Sequence, residues 1–504
     1  MPSAGLCDLI FESGRIIDGL GGPAQPGAVC VRDGRIVHVG PDDGGWTAPD
    51  RIDLCGRSLA PGFIDCHTHD DQYLFIDPAM APKVSQGVTT VVTGNCGVSL
   101  APLLTDGAPP APLTEIGRPG DFRFATFGDY LDALDASPPA VNAACLVGHT
   151  TLRAAVMPRV DRPASAAEIA QMEAMCESAM EAGAIGVSSG LFYPPAMPAP
   201  ASEVTGLARI AARHGGVYTA HIRNEADDVA EALEEAFLIA REAGAPLVIS
   251  HHKVSGSANF GRSRETLRMI GRAATSQRIG LDVYPYAASS TMLNRASWSA
   301  STRTLVTWSK PHPEAAGREL REVAATMGLS EEEALDALSP GGAVYFMMDE
   351  ADVRRIIASP NAMIGSDGVP MNTRPHPRLW GAFTRVLGHY VRDVGLFPIE
   401  EAVRRMTSLP AQQFRLTDRG VIAPGAAADL VILDPAKVSD RATFEAPDLP
   451  SEGIDAVYVA GVCIWRAGAP TGARPGRVLR LADAEAGRTR MNPPSARQGS
   501  QHLA

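Results

Sequence analysis

The chain has 504 residues, enough for one large domain with additions or for two to three domains, and at 45% hydrophobic and 20% charged it has a globular composition. A formal net charge of −12 argues against non-specific nucleic-acid binding, which needs clustered Lys and Arg. No window reaches the ~18 uninterrupted apolar residues of a membrane span, and residues 1–8 lack the basic and apolar regions of a signal peptide, so a cytoplasmic protein is expected.

Residues 6–60 read as short strands, with alternating apolar positions over 8–17 and 27–40. Asp33-Gly34 between two such runs is a hairpin signal, because both residues tolerate positive φ. The same pattern returns at 429–434 and in a second hairpin around Ala460-Gly461. Both chain ends, 1–60 and 416–480, are therefore expected to build one small β-sandwich domain.

From 61 to 415 the pattern changes to apolar strands alternating with helices, the mark of parallel β-α units. Strands are expected just before His67 and at 88–93, 143–147, 186–189, 217–221, 247–251, 281–284 and 362–367. Val229, Leu233, Phe237 and Ala240 form one apolar helical stripe, stopped by Gly244, with Asp227 and Asp228 in the first turn. Eight strands of this kind fit an α/β fold, a (β/α)8 barrel of the TIM type, whose active sites gather at the C-terminal strand ends. Residues 288–345 depart from the repeat and read as an inserted lid, and 485–504 as a disordered tail.

Residues able to bind a borderline-soft cation fall at those strand ends: His67 and His69, then Cys96, His221 and His251, with Asp367 closing the eighth. In an extended strand, residues two apart share a face, so His67 and His69 present their rings together. Thiolate, imidazole and carboxylate together suit Zn²⁺ better than Mg²⁺ or Ca²⁺. Eight cysteines without any CxxC spacing do not form a disulfide framework, and Cys96 is the one given a metal role. His252, next to His251, points the other way if the strand continues. His149 and Tyr193 are further candidates for lining the pocket on barrel geometry. Metal-assisted hydrolysis is the expected chemistry, with Asp367 taking a proton from water and passing it to the leaving amine.

The stretches 61–69, Gly94-Asn95-Cys96-Gly97, His221-Ile222-Arg223, Ser250-His251-His252-Lys253, 364–368 and 374–380 resemble the D-aminoacylases, the N-acyl-D-amino-acid deacylase branch of the amidohydrolase superfamily. The resemblance runs from about residue 6 to about residue 480. It implies a tightly bound zinc on Cys96, His221 and His251, and a second, weaker or empty position formed by His67, His69, Cys96 and Asp367. Many superfamily members bridge two metals with a carboxylated lysine on the fourth strand; residues 186–191 contain none, and Cys96 takes the bridging place. The resemblance also implies that Lys253, Tyr284 and Arg378 receive the substrate's α-carboxylate, that Tyr193 and Ser290 border the scissile amide, and that the substrate is a small N-acyl-D-amino acid. Arg295 faces either an acidic substrate side chain or solvent. The competing readings are a cyclic amidase such as a hydantoinase, which needs the missing lysine, and a catalytically inactive barrel serving as a binding protein.

Overall fold

In the computed structural model, residues 5–41 and 44–481 are described; the expected tail at 485–504 lies outside them. The parallel strands expected from the sequence are β1 (Phe63–Asp65), β2 (Val88–Thr93), β3 (Asn142–Cys145, resuming as Val147–Gly148), β4 (Gly186–Gly190), β5 (Val217–His221), β6 (Leu247–Ile249), β7 (Ile279–Val283) and β8 (Ala362–Ile364). All their residues are buried, as for strands covered on both faces. β1, β2 and β3 pair in parallel, and the Val147–Gly148 segment continues the series through β4, β5, β6 and β7 to β8. Beyond the ends of β1 and β8, Thr68 and Gly368 form a parallel bridge, and Asp367 N donates to His67 O at 2.7 Å.

Helices separate the strands. The one between β5 and β6, α1 (Val229–Ala243), buries the expected stripe of Val229, Leu233, Phe237 and Ala240, and Gly244 ends it at φ 68°. Asp228 stands at the N-cap and Asp227 before it, so neither lies in the first turn, whose acidic residue is Glu231. Among the described residues no helix is long and apolar enough to cross a membrane.

Strands from the two chain ends share one nine-stranded mixed sheet, joined where Ser58–Pro61 runs antiparallel to Leu430–Leu433. Its core includes Phe11 packed edge-on against Tyr458, with Val29, Leu59 and Leu430. Both sequence-predicted hairpins are present, with positive φ at Asp33 and Gly34 and again at Ala460 and Gly461.

The departure at 288–345 is a structured segment between β7 and β8. Ala288–Met292 and Arg303–Ser309 flank Gly341–Phe346 in an antiparallel sheet. Helices Leu320–Met327 and Glu331–Leu338 pack on it around Val306, Val323 and Leu335. Ser330 and Glu333 form a capping box that starts the second of these helices.

A buried polar knot ties β1 to β8. Lys83 Nζ donates to Asp65 Oδ2, Thr68 Oγ1 and Ser366 Oγ at 2.7, 2.8 and 2.8 Å and lies 3.3 Å from Asp70 Oδ2. Asp65 also accepts from the backbone N–H and the hydroxyl of Ser366. Burial alone would lower the Lys83 pKa, but Asp65 and Asp70 outweigh it and raise it, so the ammonium stays charged. Removing it leaves two carboxylates in a site without solvent. Lys83→Met is therefore expected to cost about 3–5 kcal/mol in urea unfolding, the scale for breaking a buried pair from one side; a loss below about 1 kcal/mol would show that the knot does not hold this seam.

Candidate metal centre and active site

Cys96, His251 and Asp367, all just past strand ends, adopt left-handed backbone conformations with φ of 53°, 35° and 48°. Each costs about 1–3 kcal/mol, and such strain persists only where the surroundings dictate it. The dictating contacts are visible. Asp282 Oδ1 accepts the His251 N–H at 2.8 Å, and His67 O accepts that of Asp367. The Cys96 loop is clasped by β4: Ser188 Oγ accepts from Gly97 N at 3.0 Å and donates to Gly94 O at 2.5 Å. A Cβ at Gly190 would lie 2.1 Å from the Cys96 carbonyl oxygen, so the glycine lets β4 approach the loop closely.

The turns bring the donors together. Cys96 Sγ lies 3.2 Å from both His67 Nε2 and His251 Nε2, and His251 Nε2 lies 2.9 Å from His221 Nδ1. Asp367 Oδ1 is 3.2 Å from His69 Nε2 and 3.6 Å from His67 Nε2. Two groups result, His67–His69–Cys96–Asp367 and Cys96–His221–His251, each with its ligand atoms within 4.8 Å of one another and Cys96 in common. Burial would raise the Cys96 pKa, but the His67 and His251 rings and hydrogen bonds from His221 and His251 hold it well below the ordinary thiol value. A buried thiolate among facing imidazole nitrogens and a carboxylate is a donor set that fits a divalent metal of borderline softness.

Outer groups orient these ligands. Asp282 lies 3.1 Å from His67 Nδ1, and Glu225 Oε1 lies 3.0 Å from His251 Nδ1. At His67, a carboxylate accepting the Nδ1 proton leaves the Nε2 lone pair free to face the centre, while His251 Nδ1 also meets Lys253 Nζ at 2.8 Å. Sequence reading missed both residues. Asp282 did carry a signal, a charge inside an apolar strand, whereas Glu225 sits in an irregular segment with none.

Above the donors lies a cavity of about 310 Å³, lined by His69, Cys96, His221, His251 and Asp367, and also by Lys253, Tyr284, Tyr193 and Ser290. Lys253 Nζ is already engaged, donating to Glu225 Oε1 at 2.6 Å. Among the described residues, the hydroxyls of Tyr284 and Ser290 have no hydrogen-bond partner. Arg378 does not line the cavity. It lies behind, 1% exposed, with Nη1 2.8 Å from Asp367 Oδ2, Nη2 donating to Ser290 O and the guanidinium 4.5 Å from the Tyr284 ring centroid. Burial would raise the Asp367 pKa, yet Arg378, then His251, His69 and His67, keep it well below the carboxylate range.

Arg295 is on the outer surface, 58% exposed, paired with Glu332 and Asp336 at 3.0 and 2.7 Å, so of the two alternatives for it solvent is the one observed. Tyr193 lines the cavity, but His149 does not: it contacts Glu203 at 2.8 Å in a buried cluster with Arg153. His252 turns away to Thr266 Oγ1, at 2.8 Å.

The model of the amidohydrolase family matches residues 50–267 and 303–465. The chain is 54% identical to a D-aminoacylase of Alcaligenes xylosoxydans xylosoxydans, covering 94% of this chain and 97% of that one. An N-acyl-D-aspartate deacylase from the same organism is 53% identical, covering 95% and 96%. Among solved structures, N-acyl-D-glutamate deacylase from Bordetella bronchiseptica, complexed with zinc and a phosphonate inhibitor that mimics the tetrahedral intermediate, superposes with a TM-score of 0.91 at 47% identity, over 94% of this chain and all of that one. The chain belongs to the amidohydrolase family and, within it, to the branch of the N-acyl-D-amino-acid deacylases.

Proposed function

We propose that this protein hydrolyses N-acyl-D-amino acids to a D-amino acid and a carboxylate, using zinc held tightly by Cys96, His221 and His251. The observation that carries the reading is the pair of donor groups sharing Cys96 on the floor of a cavity that Asp367 also lines. A second, weaker metal position is assigned to His67, His69, Cys96 and Asp367, where the 2.8 Å ion pair to Arg378 competes for the carboxylate. When bound, zinc supplies Lewis acidity, activating water and polarising an amide carbonyl.

The remaining chemistry belongs to the side chains. Asp367, held ionised beside Arg378, accepts the proton from the attacking water and returns it to the leaving nitrogen. Lys253 and Tyr284 offer donors to the α-carboxylate from the cavity wall, with Arg378 adding its charge from behind. Fixing that carboxylate lets only one hand of Cα present its acyl carbonyl to the floor, which makes a charge contact into stereoselectivity. Ser290 and Tyr193 border the amide. We read 61–415 as a closed (β/α)8 barrel, the joined chain ends 1–60 and 416–480 as a β-sandwich domain, and 288–345 as a lid; Ser289, Ser290, Thr291 and Ser297 of that insertion line the cavity. We place the protein in the cytoplasm, in keeping with eight cysteines that show no CxxC spacing.

The reading is tested by hydrolysis of N-acetyl-D-methionine with zinc-loaded and zinc-stripped protein. Cys96→Ala should abolish both zinc binding, measured by metal analysis, and turnover, and a variant retaining both would refute the site. Asp367→Asn should keep the tight zinc and lose on the order of 10²-fold or more in kcat; near-native kcat excludes the proton role. Arg378→Ala removes the cation that most strongly lowers the Asp367 pKa, so the acid limb of the pH–rate profile should move to higher pH. It should also cost about 2–4 kcal/mol in kcat/KM. An unmoved acid limb would show that Arg378 does not govern Asp367.

A further inference from the structure

Three carboxylates line the cavity, and two are already neutralised: Glu225 by Lys253 at 2.6 Å, Asp367 by Arg378 at 2.8 Å. The third, Glu115, differs. It ends a short 3-10 turn, Leu113–Glu115, is 7% exposed, and among the described residues neither carboxyl oxygen has a partner within hydrogen-bond distance. A carboxyl buried at a cavity wall without a partner is costly to keep and has no evident part in holding the fold. We propose that Glu115 is a specificity residue that admits substrates whose only carboxylate is the α-carboxylate and rejects those carrying a second one.

The inference rests on the deacylase reading and adds to it a rule for the rest of the substrate. Every N-acyl-amino acid brings one anion, for which Lys253, Tyr284 and Arg378 are arranged. A second anion meets Glu115 at a wall where that carboxyl is buried, so like charges are weakly screened and repulsion discriminates between otherwise similar ligands. Burial pushes the Glu115 pKa up to about 7, with the His69 and Arg378 charges pulling it down, so the carboxylate form is favoured as the pH rises above that value. Overall similarity to relatives named for aspartate and for glutamate does not decide this point, because one wall residue can set it.

The second carboxylate can come from the amino-acid side chain or from the acyl group, and two arms separate them. At pH 8, kcat/KM is measured for zinc-loaded wild type, Glu115→Gln and Glu115→Met on N-acetyl-D-methionine, N-acetyl-D-glutamate and N-succinyl-D-methionine, with zinc content determined for each. Both variants should keep zinc and stay within about threefold of wild type on N-acetyl-D-methionine, while turnover of at least one dicarboxylate rises at least tenfold relative to it. A rise confined to N-acetyl-D-glutamate places Glu115 at the side chain; one confined to the succinyl compound places it at the acyl group. Wild-type turnover with neither ratio changed in either variant overturns the Glu115 assignment alone. No wild-type turnover of any N-acyl-D-amino acid overturns the deacylase reading, and the assignment with it.

Discussion

Everything at this site depends on one sulfur atom. Cys96 Sγ belongs to both donor groups, and it reaches that position only because its backbone is held left-handed against β4. β4 meets the requirement on the side facing the loop with Ser188, whose hydroxyl grips Gly94 and Gly97, and with Gly190, whose missing side chain leaves room for the Cys96 carbonyl. A long side chain on that strand would have to displace the loop. The absence of a lysine there and the central position of the thiolate are thus two sides of one packing solution.

The same economy runs through the charged groups beneath the cavity. Asp282 orients His67 through its ring and His251 through its backbone, so one carboxylate in β7 sets two strand ends. Asp65 and Lys83 join the strand that carries the histidine pair to the one that carries Asp367. These groups are fully buried, and buried charges give little net stability even when paired. Their effect is positional: they make the relative placement of His67, His69 and Asp367 hard to vary.

Much of this was legible in the sequence because its causes are local. Alternation of apolar residues, the turn chemistry of Asp33-Gly34 and Ala460-Gly461, and metal-binding side chains at strand ends are properties of a few neighbouring residues. What was not legible depends on which distant segments meet. Asp282 and Glu225 acquire their roles only when β7 and the segment after β5 stand beside His67 and His251. Arg378 looks like a free cation for substrate until Asp367 is found 2.8 Å away, and Arg295 until Glu332 and Asp336 fold back onto it. A single charged side chain has no periodicity of its own, so its partner is set by which distant segment packs against it.

The central claim, that a metal here is bound through the Cys96 thiolate, is tested most directly by X-ray absorption at the zinc edge of protein loaded with one equivalent of metal. The account predicts a first shell with one sulfur at about 2.3 Å and nitrogen or oxygen ligands at about 2.0 Å. A shell of nitrogen and oxygen alone, with no sulfur, would contradict it.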